Sequence, residues 1–264
     1  MPLLDALLFS LVNLFIVLAL LTILWVVSVR IKDASIIDIA WGPACAAPAL
    51  LTFLRLETPG PRAALLTALV CLWALRLAIY LGWRNLSHGE DIRYQKMREA
   101  QGSDAAFARW SLPAVYWLQG FVAWFVSLPV QWGQIDGGAV GLLAWIGVAV
   151  FLIGLGFETI GDMQLAAFKA KPANKGKLMT GGLWAWTRHP NYFGDAAVWI
   201  GLTLIALQSP LGVYTILSPV VMAYFLVKIS GKALTERMMD KKYPEYADYK
   251  VRTSGFIPAP PKRR

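Results

Sequence analysis

The chain contains only two cysteines, two histidines and 16 acidic residues among its 264 residues. Cys45 and Cys71 both lie in apolar runs, so we expect no framework of disulfides. His88 and His189 lack the neighbouring histidines, cysteines and carboxylates that would complete a ligand set, and we therefore predict no metal site. The sequence also lacks a GxGxxG motif after a strand, which excludes a soluble dinucleotide-binding fold.

Charge is scarce as well, because 16% of the residues are charged whereas 57% are hydrophobic, and the mean hydropathy is +0.53. This composition excludes an ordinary soluble domain and predicts an integral membrane protein. About 20 apolar residues are enough to cross the hydrocarbon core of a membrane. Ser209-Pro210 is a very short connection between the last two candidate spans, so six spans are the alternative to seven. We predict spans at 4–29, 36–54, 63–84, 112–132, 138–160, 193–208 and 211–229.

The net charge of +9 is unevenly distributed along the chain. With the N-terminus outside, all of the 25 lysines and arginines except Arg55, Arg62 and Arg76 fall on one side of the membrane. The positive-inside rule places that side and the C-terminus in the cytosol. Topology thus explains the charge, and we expect no nucleic-acid partner. The fold predicted is an all-α, polytopic bundle of about seven transmembrane helices in a single membrane domain, 1–264, surrounded by membrane lipids and without an obligate protein partner.

The connector 169–201 combines more potential ligand-binding groups than any other loop in the sequence. Gly181 and Gly182 permit a close approach of the backbone to a ligand. Several cations in the connector suit an anion that bears more than one negative charge. This pattern predicts a phosphorylated cofactor. The cations are Lys169, Lys171, Lys175, Lys177 and Arg188.

Charged side chains within the predicted spans are costly unless they face a cavity or a partner. Glu158 and Asp162 are four residues apart on one helix face and would repel each other without a cation, a proton or a ligand hydroxyl between them. Two interpretations are compatible: Arg76 forms a structural ion pair with Asp38 or Glu158, or these residues line a ligand site open to the cytosol. The charged residues concerned are Asp38, Arg76, Glu158, Asp162 and Asp195.

The tail after Lys228 has an amphipathic, helix-forming composition and a Pro-rich end. Lys232 and Glu236 are four residues apart within it and suit a surface pair. One interpretation is an interfacial helix held by anionic lipid headgroups. The other is a lid over a cytosolic site.

Three groups of residues resemble the C-terminal domain of the steroid 5α-reductase family, and in particular its bacterial branch: Gly181-Gly182-Leu183-Trp184, Arg188-His189-Pro190-Asn191-Tyr192 and Gly194-Asp195. The similarity extends upstream to Glu158 and downstream to the ending Phe256-Ile257-Pro258. It therefore implies a reductase-like cofactor-binding part at 155–258 and substrate-side helices at 1–110.

The resemblance implies that NADPH binds from the cytosolic side and reduces a lipophilic enone from the bilayer, in a bacterial inner membrane. The steroid enzymes use a Gln-Glu pair on the second span and a Tyr on the third, where this chain has Asp38 and Trp73. Asp38 is the predicted carbonyl polariser if burial raises its pKa, and Tyr80 is the predicted substitute for the phenol. The cofactor residues implied are Arg76, Glu158, Asp162, Lys169, Arg188, His189, Asn191, Tyr192, Asp195, Lys232, Glu236 and Tyr246.

A different enzyme class shares part of this pattern. Arg-His-Pro-x-Tyr also occurs in membrane methyltransferases that act on isoprenylcysteine or phospholipids with S-adenosylmethionine. In that case Glu236 would hold the amino group of the cofactor. Asn191 and Asp195 fit the reductases better, and the lysines suit phosphates better than a sulfonium cation. A non-catalytic lipid-binding or transport protein is the third alternative.

Overall fold

The computed structural model describes residues 2–86, 89–229 and 232–262, so His88 lies outside the described residues. These parts of the chain are helical, and the extended pairing found within them is an isolated parallel bridge between Thr187 and Ser254. The prediction of an all-α fold is confirmed.

The helices follow one another with short connections. A π-helical turn, Leu112–Trp117, precedes the sixth helix, and another, Phe225–Ile229, follows the eleventh. The α-helices in chain order are α1 (Leu3–Ile31), α2 (Ile36–Arg55), α3 (Pro61–Asn85), α4 (Ile92–Ala100), α5 (Asp104–Ser111), α6 (Leu118–Val126), α7 (Leu128–Trp132), α8 (Leu142–Ala170), α9 (Leu183–Trp186), α10 (Pro190–Ala206), α11 (Leu217–Tyr224), α12 (Lys232–Lys242) and α13 (Tyr246–Arg252).

Five helical stretches of the described chain are long and apolar enough to cross a membrane: Leu3–Ile31, Ile36–Arg55, Pro61–Asn85, Leu142–Ala170 and Gly212–Ile229. The fourth ends ten residues later than predicted, so Asp162 and Lys169 lie within a continuous helix. These stretches correspond to five of the seven predicted spans.

The other two predicted spans have a different form. The stretch 112–132 is divided among a π-helical turn, α6 and α7, and it contains Pro113 and Pro129, which have no backbone N–H to donate. Helix α10 has 17 residues, a length of about 26 Å, which is below the roughly 30 Å of hydrocarbon thickness. A count of seven spans therefore stays a prediction, as does the orientation of the termini.

Contacts along the chain define two compact units. The first unit comprises Met1–Gly141 and Ile205–Ser218, and the second comprises Leu142–Leu204 and Pro219–Arg264. Asp38, Arg76 and Tyr80 belong to the first unit, and all other predicted site residues belong to the second. The assignment of the whole chain to a single domain is untested and stays a prediction.

Buried polar contacts fix the helices of the first unit. Asn13 of α1 is fully buried, and its amide donates to Thr52 Oγ1 at 2.9 Å and to Gln131 Oε1 at 3.0 Å. Helix α2 packs on α3 where Gly42 meets the backbone of Ala74, at a distance that leaves no room for a Cβ. Such contacts set the register of apolar helices that have no hydrophobic drive to associate within a bilayer.

Glycines allow α8 and α10 of the second unit to pack backbone against backbone. A Cβ at Gly194 would lie 2.5 Å from the carbonyl oxygen of Gly154, and one at Gly201 would lie 2.6 Å from that of Gly147. Small residues at such crossings bring two helices into close van der Waals contact. This crossing aligns the C-terminal half of α8 with the first turns of α10.

Candidate functional site

Acidic side chains lie along the crossing of α8 and α10. Glu158 and Asp162 on α8 and Asp195 on α10 are 3%, 4% and 8% exposed. Gly194 packs on the backbone nitrogen of Glu158, because a Cβ there would lie 2.5 Å from that atom. The structure therefore brings three of the four acidic residues predicted for the cofactor pocket to one helix pair.

Asn191 connects the first turn of α10 to Asp162. Its Nδ2 donates to Asp162 Oδ1 at 3.2 Å, and its Oδ1 accepts the backbone N–H of Tyr192 at 3.0 Å. A carboxylate and an amide held side by side present both acceptors and donors, the combination that recognises a carboxamide or a hydroxyl. These two predicted residues are therefore neighbours in space, 29 positions apart in the chain.

The segment between α9 and α10 is fixed by residues close to the end of the chain. Thr187 pairs with Ser254 in the parallel bridge, and the backbone N–H of Arg188 donates to Ser254 O at 2.9 Å. Thr187 Oγ1 donates to Phe256 O at 2.8 Å, and Tyr249 Oη donates to Trp184 O at 2.5 Å. These hydrogen bonds fix the backbone at the start of the Arg-His-Pro-Asn-Tyr motif.

The Arg188 guanidinium, which is 11% exposed, is already hydrogen-bonded on both edges. Its Nη1 donates to the carbonyl oxygens of Lys250 at 3.1 Å and Thr253 at 2.8 Å. Its Nε and Nη2 each lie 2.9 Å from Oε1 of Glu236. Arg188, which is predicted to bind a phosphate, therefore binds the carboxylate of Glu236.

The same Glu236 oxygen lies 3.2 Å from Nε2 of His189, whose ring stacks on Tyr192 with a centroid distance of 5.3 Å. Burial lowers the pKa of His189, although Glu236 opposes this, so the neutral ring is favoured and donates from Nε2. Burial alone would raise the pKa of Glu236, but the hydrogen bonds from His189 and Arg188 lower it to about 2. Glu236 is consequently charged at neutral pH.

Lys232 adds a second cation beside Arg188. A Cβ on Gly255 would lie 2.8 Å from Lys232 Nζ and 3.1 Å from Arg188 Nη2, so both cations approach the same point on the backbone. With Glu236 charged and His189 neutral, the group carries a net positive charge. We refer to Arg188, His189, Lys232 and Glu236 as the basic cluster.

The remaining residues predicted for the second unit lie in varied settings. Tyr192 Oη is 3.5 Å from Thr235 Oγ1 of α12. Tyr246 is 2% exposed, and burial raises its pKa. Lys169 is exposed in the last turn of α8. Residues Tyr192 and Tyr246 therefore belong to the surroundings of the basic cluster, and Lys169 lies on the surface.

Comparison with known proteins identifies the family of this chain. The sequence profile of DUF1295, described as a protein of unknown function, matches residues 24–253. The chain belongs to the DUF1295 family.

Two relatives of this DUF1295 protein carry different descriptions. It is 25% identical over 271 residues to "Uncharacterized protein C594.04c" of Schizosaccharomyces pombe, covering 89% of this chain and 76% of the relative. It is 46% identical over 46 residues to "Probable O-methyltransferase ustE" of Ustilaginoidea virens, covering 17% of this chain and 16% of the relative. No solved structure gives a significant match.

The first unit of this DUF1295 protein places Asp38 in an ion pair. Asp38 Oδ2 lies 2.5 Å from Arg93 Nη2, and Asp38 Oδ1 accepts from Tyr94 Oη at 2.8 Å. Burial alone would lower the pKa of Arg93, but Asp38 and Asp91 raise it above its ordinary value. The cation beside Asp38 is thus Arg93, whereas we expected Arg76 as one possibility.

The two other predicted residues of the first unit contact each other on α3. The Arg76 guanidinium lies 5.5 Å from the centroid of the Tyr80 ring, and that of Arg84 lies 5.7 Å from the same centroid. Tyr80 is therefore flanked by two cations. The phenol that donates to Asp38 is Tyr94, which sequence reasoning did not assign to the site, although the charged segment 89–94 was a visible signal.

Several contacts around the candidate site in the second unit have no signal in the sequence. Two of the acceptors for Arg188, the oxygens of Lys250 and Thr253, are backbone carbonyls, which every residue type possesses. Gln164 accepts the backbone N–H of Leu183 at 2.9 Å and so supports the start of α9 from a distant position on α8. The φ of +60° at Gly182 and its contact with Gln164 explain why a glycine stands there.

Proposed function

We propose that this DUF1295 protein is a membrane-embedded, NADPH-dependent reductase of a lipophilic conjugated carbonyl, as its resemblance to the steroid 5α-reductase family implies. The substrate class would be a steroid-like 4-ene-3-one or another enone lipid. The observation that carries the proposal is the Asp162–Asn191 hydrogen bond. Asn191 follows Arg188 and His189 of the basic cluster by only a few residues, so the hydrogen bond and the cluster are joined by the short segment 188–191. Hydrogen-bonding groups and cations suited to a phosphorylated dinucleotide therefore occur together in an otherwise apolar chain.

The residues of the second unit fit NADPH by their chemistry. Arg188 and Lys232 suit phosphates, and Asp162 and Asn191 suit ribose hydroxyls or the carboxamide. When bound, the nicotinamide would supply a hydride to the carbon–carbon double bond of the enone. The protein's own contribution is to orient the ring and exclude water.

The setting proposed for this reaction is a bacterial inner membrane. The topology has about seven spans, an outer N-terminus and a cofactor site that faces the cytosol, and the substrate enters from the bilayer. The unequal distribution of lysine and arginine supports this orientation.

The roles predicted for Asp38 and Tyr80 in polarising the carbonyl stay predictions. Both carboxylate oxygens of Asp38 accept hydrogen bonds, one from Arg93 and one from Tyr94, whereas a group that polarises a carbonyl oxygen must donate one. Retention of full activity by Asp38→Asn would remove Asp38 from the mechanism.

A methyltransferase that uses S-adenosylmethionine is the second candidate function. Two observations favour it: the short match to a probable O-methyltransferase and the orientation of the charged Glu236 by Arg188 and His189. A carboxylate held in this way suits an ammonium group. Against it stand the two cations beside Gly255, which suit an anion better than a sulfonium.

Ligand-induced stabilisation separates these two functions. Purified protein is titrated with NADPH, NADH and S-adenosylmethionine while its thermal unfolding is followed. A ligand at 100 times its dissociation constant stabilises the native state by about 2.7 kcal/mol. We expect stabilisation by NADPH and none by S-adenosylmethionine. Stabilisation by S-adenosylmethionine alone would replace the reductase with the methyltransferase.

A further inference from the structure

We propose that Glu236 is a built-in competitor for Arg188, so that an anionic ligand reaches this guanidinium by displacing the Glu236 carboxylate and with it α12. The inference rests on the proposed function in one respect: the physiological anion would be a phosphate of the cofactor. Its structural basis is the set of contacts around Arg188.

Arg188 has little capacity left for another acceptor. A guanidinium has five N–H donors in a fixed fork. One edge is committed to the carbonyl oxygens of Lys250 and Thr253, which belong to the folded backbone, and the other edge faces Glu236. The exchangeable partner is Glu236, since its side chain is 19% exposed and reaches Arg188 from a separate helix. An anionic ligand that binds this edge of Arg188 must therefore displace Glu236.

The contact between Arg188 and Glu236 has a less favourable geometry than the contact that Arg188 can form with a phosphate. Nε and Nη2 of Arg188 both approach Oε1, so the carboxylate does not use its two oxygens in the paired, fork-to-fork arrangement. A phosphate offers an oxygen to each nitrogen and carries more charge, and its bonds to arginine are strong for both reasons. Lys232, which reaches the same point beside Gly255, would add to the attraction.

Displacement of Glu236 would release α12 from the motif at the start of α10. Among the residues that the structure describes, the further hydrogen bond between α12 and this motif is a long one, 3.5 Å between Thr235 Oγ1 and Tyr192 Oη. Glu236 also contacts His189 at 3.2 Å, so Arg188 and His189 would lose this shared acceptor together. Ligand occupancy and the position of α12 are thereby coupled.

Inorganic pyrophosphate is the probe that tests the competition directly. Its dissociation constant is measured for wild-type protein, for Glu236→Gln and for Glu245→Gln. Glu245 is an exposed carboxylate of the same tail, so its variant removes an equal charge away from Arg188. Because a hydrogen bond to a charged group contributes about 1.5–3 kcal/mol, we expect Glu236→Gln to bind pyrophosphate about 10-fold to 100-fold more tightly. Equal or weaker binding than wild type would overturn the proposal.

Hydrogen exchange of the wild-type protein provides a second test that needs no substitution. We expect exchange in Lys232–Lys242 to rise when pyrophosphate or NADPH saturates the protein, since α12 loses the contacts of Glu236 with Arg188 and His189. Unchanged or slower exchange would contradict the displacement.

The two proposals can fail separately. Tighter pyrophosphate binding by Glu236→Gln without any binding of NADPH would support the competition of Glu236 for Arg188 and refute the NADPH-dependent reductase function. Equal binding of NADPH by wild type and Glu236→Gln would keep the reductase and reject the competitor.

Discussion

Arg188 and Glu236 are joined through one oxygen, since Nε and Nη2 of the arginine both lie 2.9 Å from Oε1 of the glutamate. This contact connects α12 to the segment that opens α10. His189 shares the same oxygen at 3.2 Å. One carboxylate therefore determines the environment of both basic residues of the Arg-His-Pro-Asn-Tyr motif.

The first prediction concerns acid stability. The folded pKa of Glu236 is lowered to about 2 from an ordinary value of 4.5. The charged form is thus stabilised by folding, and its contribution is present above pH 4.5 and is lost as the pH falls toward 2. We expect the melting temperature of Glu236→Gln to fall less than that of wild type over this interval. Glu245→Gln is the control and should follow wild type, and parallel curves for all three proteins would refute the assignment.

The second prediction concerns the packing of α8 on α10. A Cβ at Gly194 would lie 2.5 Å from backbone atoms of Gly154 and Glu158, which cannot move independently of their helix. We expect Gly194→Ala to cost about 1–3 kcal/mol through overpacking. Gly156 has no atom within 4 Å of its Cβ position, so Gly156→Ala should leave the melting temperature unchanged or slightly raised. Equal effects of the two substitutions would show that the crossing is not close.

The third prediction concerns Asn191 and Asp195, two polar residues of the candidate site. Asn191→Ala removes the donor to Asp162, and Asp195→Ala removes a carboxylate that is 8% exposed. We expect each variant to fold and to lose the thermal stabilisation produced by NADPH. The readout is the ligand-dependent shift of the melting temperature in detergent. Full retention of the shift by both variants would refute the site assignment.

The fourth prediction concerns the contribution of the Asp38–Arg93 ion pair to stability. Asp38→Asn and Arg93→Gln each break the ion pair at 2.5 Å, so the double variant should lose less stability than the sum of the single variants. Coupling energies for groups in contact are about 0.5–3 kcal/mol, measured by a cycle of the four proteins. Strict additivity would mean that the pair contributes nothing to the fold.

Apolar length was sufficient to predict several helices closely. The predicted span 36–54 corresponds to Ile36–Arg55, and 63–84 lies within Pro61–Asn85. The fifth span is predicted to end at residue 160, whereas helix α8 continues to Ala170. Hydropathy falls at Glu158 and Asp162, but a helix whose charged residues face a neighbouring helix has no reason to stop there.

The proximity of two candidate site residues was predictable where their side chains contact each other. Asn191 and Asp162 stand out by residue type, and the structure places them 3.2 Å apart. The contacts of Arg188 with Lys250 and Thr253 were not predictable, because their carbonyl oxygens have no signature in the sequence. The partner of Asp38 was missed for a different reason: Arg93 lies 55 positions away, in another helix.

The parallel bridge between Thr187 and Ser254 has a consequence for biosynthesis. Arg188 acquires its carbonyl acceptors from residues 62 and 65 positions later in the chain. Contacts at such separation form only after the intervening chain has been made and its ends have met. During translation, Arg188 therefore emerges before either carbonyl acceptor has been made, and its contacts with Lys250 and Thr253 form only after that later segment has left the ribosome.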